Sequence, residues 1–166
     1  MENNHQQRHT IGMLVQNVPG VLARVVGLFS GRGFNIENIT AAETNESGIT
    51  RITLVTTGDE RILAQIVKQL NKLINVIKVF DFQETEFVDR EMALIKVRAE
   101  PQTRAEVLRI VDIFRAKVVD VSPHFYTLEV TGNESKISAI IELLSQMGIV
   151  EIARTGKAAL ARSKKH

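Results

Sequence analysis

The 166-residue sequence predicts an α+β chain in which one split β-α-β unit occurs twice. Three observations carry this expectation. Apolar segments run strand-helix-strand-strand-helix-strand, and a charged, aperiodic stretch is followed by the same order again. Phe29 and Phe114 fall at matching places in the first helix of each copy, an offset of 85 residues. Each copy is about 75–80 residues, enough for one small core but not for more. Two units of the ferredoxin-like βαββαβ kind follow, with helices on one face of each antiparallel sheet.

The elements are read in order. Residues 1–9 are polar and are expected to form a flexible arm. The first unit is placed at residues 10–82, opening with the short apolar strand TIGMLVQ at 10–16. Asn17-Val18-Pro19-Gly20 then leads into a helix in which Leu22, Val25 and Phe29 recur at helical spacing. Gly20, Ala23 and Gly27 leave a neighbouring strip of that helix almost bare, and Gly31 and Gly33 stop it. Residues 34–42 and 49–57 are expected to pair as a hairpin across the turn 44–48. Asp59 is a plausible N-cap, and Ile62, Leu63, Ile66, Val67, Leu70, Leu73 and Ile74 line one face of the helix that follows. Residues 76–82 close the unit.

Residues 83–91, QETEFVDRE, are charged and aperiodic and are expected to be a linker or a loosely held strand extension. The second unit is placed at 92–156: a strand at 92–99, a helix bearing Val107, Ile110, Val111 and Phe114, a hairpin of 117–121 with 125–130, a helix bearing Ile137, Ile140, Ile141 and Leu144, and a last strand at 149–153. Because helices cover one face of each small sheet, the opposite face and the edges need cover, which an oligomer would supply. Ile52, Leu54 and Val55 are apolar enough that both faces of the first sheet are expected to be covered.

Composition narrows the chemistry. There is no Cys, so disulfides, thiolate metal sites and Cys nucleophiles are excluded. No apolar run approaches ~20 residues, so no membrane span is expected, and the N-terminus lacks the apolar core of a signal peptide; a cytoplasmic protein is the expectation. Lys157, Arg162, Lys164 and Lys165 account for four of the 21 basic residues, and without residues 157–166 the body holds 17 bases against 19 acids, a charge of −2. The basicity is a property of that stretch, read as a solvated basic tail. His5, His9, His124 and His166 are scattered without metal-ligand spacing and are read as surface residues. Gly31-Arg32-Gly33 follows a helix and has no third Gly, so it is no dinucleotide fingerprint. Neither a P-loop nor a nucleophile elbow occurs, and no catalytic residue or metal site is assigned. The same element order occurs in RNA-binding modules, but strands 10–16 and 49–57 lack the aromatic residues on which such modules stack bases.

The segment Gln16–Phe34 holds the attention. A turn with so little side chain lets another backbone or a small ligand approach the helix N-terminus, whose free N–H groups and dipole suit a carboxylate. The plainer reading is a tight strand-to-helix connection with Pro near the first helical position. Both remain open on shape alone.

The residues NVPGVLARVVGLFSGRGFNIENI resemble an ACT domain, a small βαββαβ ligand-binding module of amino-acid metabolism. GLFSGRGFNIENIT, the Lys68–Ile74 region, EMALIKV, IFRAKVVDV and the closing EIARTGKAAL together resemble the small regulatory subunits of acetolactate synthase, over roughly residues 8–162. That resemblance implies a non-catalytic protein. It implies binding to and activation of a thiamine-diphosphate-dependent large subunit of branched-chain amino acid synthesis, and feedback inhibition by a branched-chain amino acid, usually valine. Thiamine diphosphate, Mg and FAD would belong to the large subunit only. It further implies a homodimer through the ACT domains with effectors at the interface. The effector-binding residues would be Asn17, Val18, Pro19, Gly20, Val21 and Leu22, with Asn35 and Ile36 facing the site from the partner chain. Ala23 stands where some relatives carry Ser, so a hydroxyl contact made there would be absent. Physically, the Asn17 or Asn35 carbonyl could accept from an effector ammonium, and Met13, Val18, Val21 and Leu22 could surround an aliphatic side chain. The sequence offers no obvious buried acid for that ammonium. A stand-alone ACT-type regulator is the alternative, and a nucleic-acid-binding protein comes third.

Overall fold

The computed structural model describes residues 7–83 and 85–163. His5, Glu84, Lys164, Lys165 and His166 lie outside the described residues, as does most of the expected arm. The chain divides into two compact units, one reaching Val88 and including the segment from Lys157 onward, the other running from Asp89 to Gly156.

The first unit contains β1 (Gln7–Gln16), α1 (Val21–Ser30), β2 (Asn35–Glu43), β3 (Ile49–Gly58), α2 (Glu60–Leu70) and β4 (Val76–Asp81). Its antiparallel sheet has the order β2-β3-β1-β4, so the strand that carries the turn into α1 is held on both sides. Ile11 faces Leu54 and Met13 faces Ile52 across the central pair. These four are fully or almost fully buried beneath Val25 and Phe29 of α1 and Leu63, Ile66 and Leu70 of α2. Asp59 caps α2 as its sequence position suggests, accepting from the Arg61 N–H at 2.7 Å. The second unit repeats the plan with β5 (Phe87–Arg98), α3 (Arg104–Ile113), β6 (Lys117–Val121), β7 (Phe125–Gly132), α4 (Glu134–Ser145) and β8 (Ile149–Arg154), in the order β6-β7-β5-β8. Its core joins Ala93, Ile95 and Val97 to Val107 and Ile110 of α3 and to Ile137 and Ile140 of α4. The two sheet orders are those of ferredoxin-like units, as the sequence predicts.

Several details differ from the sequence reading. The buried stripe of α1 is Val21, Val25 and Phe29, while Leu22 is 45% exposed. The helix starts at Val21, and steps of four from there fix the face that meets the sheet. α2 ends at Leu70, so Ile74 falls in the turn that follows and is 92% exposed. β1 begins at Gln7, inside the expected arm. Its His9 is fully buried opposite Thr56 rather than on the surface. The ring nitrogen Nε2 lies 3.3 Å from the Gly58 carbonyl, which can only accept, so Nε2 carries the proton. Nδ1 is buried without a partner. β5 occupies the second half of the expected linker, and its Glu91 is buried against Arg154; a strand whose charges are paired leaves no apolar period to read.

Part of the stretch read as a solvated tail is structured as well. Residues Ala158–Ala161 form β9, which pairs β5. Lys157 and Ala159 are buried. The Lys157 N–H lies 3.4 Å from the Asn38 side-chain oxygen, Arg51 donates to the Ala159 carbonyl at 3.0 Å, and the Arg162 N–H donates to the Glu86 carbonyl at 2.8 Å. Asn38 and Arg51 belong to the sheet face turned away from the helices, since Asn38 pairs Val55 and Arg51 pairs Leu14. On the same face Phe82 covers Gly12, where a Cβ would come within 2.8 Å of the ring, and stacks toward Phe80 and Phe87. Thr53 and Val55 are buried there in consequence. Both faces of this sheet are covered, and the chain's own C-terminal segment supplies part of the cover. Burial lowers the Arg51 guanidinium from its ordinary value; its Nε is buried without a partner, and Phe80 lies under it at 4.9 Å.

Two outcomes test this packing. Phe29→Ala should cost about 3–5 kcal/mol in chemical denaturation, and Phe114→Ala less, because Phe114 is only partly buried; equal losses would contradict the asymmetry between the copies. Arg51→Ala should speed amide exchange at residues 157–162 while leaving the β1–β3 ladder protected. Unchanged exchange there would show that Arg51 does not hold the segment.

Candidate functional site

The C-terminal end of β1 is fixed from both neighbours. The Gln16 N–H donates to the Asn75 carbonyl and the Asn17 N–H to the Gly48 carbonyl, each at 2.8 Å. The chain must then reverse within four residues to start α1, and Gly20 does this with φ +85°, a conformation that side-chain-bearing residues adopt at a cost of about 1–2 kcal/mol. Gly20 is the N-cap of α1 and provides no side-chain cap, and no acidic residue occupies the first turn. By contrast Asp59 and Asn133 cap α2 and α4 with their side chains. The Val21 N–H donates to the Val18 carbonyl at 3.4 Å, and the next N–H groups of the first turn, those of Leu22 and Ala23, keep their capacity for an outside acceptor.

A cation stands beside them. A Cβ placed on Gly20 would lie 3.8 Å from Nη2 of Arg24, one helical turn on. Nη1 of Arg24 donates to the Asn75 side-chain oxygen at 2.8 Å, and the Asn75 amide donates to Gln16 Oε1 at 2.8 Å, so the guanidinium is steered by the end of β1. Arg24 was not singled out in the sequence; the signal was its spacing of four from Gly20.

A cleft of about 320 Å³ opens between the start of α1 and the end of the sheet. Val15 and Gln16 of β1, Asn17 and Val18 of the turn, and Val21 and Leu22 of α1 line one side; Ala41, Ala42 and Glu43 of β2 and Thr50 and Ile52 of β3 line the other. Four of the residues expected from the sequence, Asn17, Val18, Val21 and Leu22, thus meet on one cleft. The exposure of Leu22 and Val18, which would be unexplained in a core helix, belongs to this wall. Pro19 and Gly20 are exposed in the turn at its rim. Met13 is fully buried in the core and does not line it. Asn35 and Ile36 lie elsewhere in this chain: they pair Thr57 and Thr56, at the opposite end of β3 from Thr50. The strip of Ala23 and Gly27 is exposed, and a Cβ on Gly27 would meet nothing within 4 Å.

Elsewhere in the first unit a shallower cleft of about 440 Å³ at Phe82, Phe87 and Arg162 borders the packed C-terminal segment. Among the described residues no group of three or more His, Asp or Glu side chains is placed to hold a metal ion, and no helix is long and apolar enough to cross a membrane.

Comparison with known proteins matches both units. The family model described as "AHAS small subunit-like ACT domain" matches residues 11–78, and that described as "Small subunit of acetolactate synthase" matches residues 90–163. The chain is 51% identical to the probable acetolactate synthase small subunit of Archaeoglobus fulgidus, covering 95% of this chain and 99% of that protein. It is 53% identical to the acetolactate synthase small subunit of Aquifex aeolicus, covering 94% and 82%. The crystal structure of the acetolactate synthase small subunit of Thermotoga maritima superposes with a TM-score of 0.86 at 43% identity, over 96% of this chain and 99% of that one. With two units of matching order, an ACT domain first and these relatives over almost its whole length, this chain belongs to the family of acetolactate synthase small subunits.

Proposed function

We propose that this chain is the regulatory partner of a thiamine-diphosphate-dependent large subunit in branched-chain amino acid synthesis, that it raises the turnover of that subunit, and that it confers feedback inhibition by L-valine. The observation that carries the effector reading is the cleft at the Asn17–Leu22 turn, apolar on its walls and flanked by an uncapped helix N-terminus with Arg24 beside it. A free valine has matching parts. Its carboxylate suits the first-turn N–H groups and the guanidinium. Its isopropyl group suits Val15, Val18, Val21 and Ile52. The Asn17 side-chain carbonyl is an acceptor at the mouth of the cleft.

The site is completed by a second copy, through Asn35 and Ile36 of its β2, in a homodimer of ACT domains. The bare strip of α1 at Ala23 and Gly27 supports this, because it allows another chain to come close. Catalysis, and with it thiamine diphosphate, Mg²⁺ and FAD, is assigned to the large subunit, and this chain takes no chemical step of its own. The assembly works in the cytoplasm. A stand-alone ACT-type regulator would leave unexplained why the second unit also matches the small-subunit family.

The test is reconstitution with the large subunit, followed by a valine dose-response normalised to each variant's own uninhibited rate. The chain alone should form no acetolactate from pyruvate, and its addition should raise turnover. Gly20→Asp should abolish valine inhibition. It sets a carboxylate against Arg24, where the effector's own would sit, and like charges that close repel. Asn17→Ala should raise the half-inhibitory concentration about two- to tenfold, the loss of one hydrogen bond worth ~0.5–1.5 kcal/mol. Unaltered inhibition in a folded Gly20→Asp variant would remove this turn from consideration.

A further inference from the structure

The cleft carries an acid that the sequence reading did not place there. Glu43 is the one charged side chain among the residues that line it. Its position is set by the strand: Glu43 pairs Thr50 and Ala41 pairs Ile52, so Glu43 lies on the sheet face that carries the cleft's apolar floor. Its carboxylate is also tied to the turn opposite. Oε1 accepts the Gly48 N–H at 2.9 Å, and the Gly48 carbonyl accepts the Asn17 N–H at 2.8 Å. Only one residue separates the acid from the turn in this chain of bonds. The described residues place no partner on Oε2.

We propose that Glu43 is the specificity residue that reads the ammonium group, so that the cleft selects α-amino acids over the carboxylic and 2-oxo acids of the same carbon skeleton. This rests on the effector reading above. The two charges of the site stand on different elements, Arg24 on the first turn of α1 and Glu43 at the end of β2, and the ends of a zwitterion answer both. A 2-oxo acid or a simple carboxylic acid answers only Arg24. It carries a second anion into a cleft that already holds Glu43, and it brings no ammonium to pair with that carboxylate. The Asn17 carbonyl adds only weakly to that distinction, since a neutral amide discriminates charge less than a carboxylate does. Glu43 is exposed in the free chain, so solvent screens part of its effect.

The experiment uses the full chain, with calorimetric titration of L-valine and 3-methylbutanoate measured by competition against it. The wild-type chain should prefer L-valine. Glu43→Gln keeps an acceptor for the Gly48 N–H and should weaken L-valine roughly tenfold while leaving 3-methylbutanoate unchanged or tighter, so that the preference collapses. Glu43→Asp keeps the charge and should retain part of the preference, a check that stands even if the Gln variant folds poorly. Equal weakening of both ligands, or no change in either, would overturn the assignment and make Glu43 a hairpin residue only. A wild-type chain that binds no L-valine at all would instead sink the effector reading, a result distinct from the failure of Glu43 alone.

Discussion

A small sheet with helices on one face must cover the other, and much of this molecule follows from how the first unit meets that constraint. β3 is buried on both faces: Ile52 and Leu54 under the helices, Thr53 and Val55 opposite. Burying an aliphatic side chain contributes about 1.5–3 kcal/mol, a large share of what holds a unit of this size. The opposite face cannot be left to water at that rate. Phe80, Phe82 and Phe87 take one part of it, and residues beyond Lys157 return to the other. Lys157 is buried there, which its long apolar stem permits. Lys157 and Arg162, two of the bases that give the sequence its net positive charge, thereby also belong to the fold of the first unit.

The same constraint positions the candidate site. Because β1 lies between β3 and β4, its last residues are gripped from both sides, at Gly48 and at Asn75. A turn fixed in this way can hold Gly20 at positive φ without a stabilising side chain, and it delivers the N-terminus of α1 to one place at the end of the sheet. β3 then connects two environments within three residues. Thr50 and Ile52 line the cleft, while Arg51 between them reaches across the other face to the Ala159 carbonyl. Strand alternation makes this unavoidable: whatever moves this end of β3 is felt both in the cleft and under the C-terminal segment.

The fold was readable in the sequence because its signals are periodic. Both sheets, all four helices and the Asp59 cap follow from apolar spacing and turn residues. What was missed lacks a period. His9 sits in the core at the polar end of β1, its neighbours Arg8 and Gln7 giving no alternation. Glu91 is buried because Arg154, 63 residues later, pairs with it, and nothing local announces that. Ala159 and Lys157 read as tail because an alanine and a lysine carry little pattern. At the site, the turn was readable from Asn17 to Gly20, since only a few residue types make such a turn. The far wall was not: Ala41, Glu43 and Thr50 come from a hairpin whose register sets their facing, and a slip of one residue would have turned Glu43 to the other face. Leu22 lines the cleft and not the core; a stripe read one residue out of phase still looks helical.

The charges at and beside the cleft argue for a modest, adjustable affinity on the proposed reading. Neither Arg24 nor Glu43 is buried, so neither is worth what a desolvated partner would be. On that reading a second copy closes the cleft. A ligand that binds only the paired form then stabilises the pair by mass action, and pairing in turn raises its affinity. Closure also removes water from around Arg24 and Glu43, and the interaction of each with a zwitterion strengthens as the local dielectric falls. The weak exposed charges of the single chain are in this sense the useful arrangement. On the same reading they cost little when the site is empty and become selective in the closed state that an effector would favour.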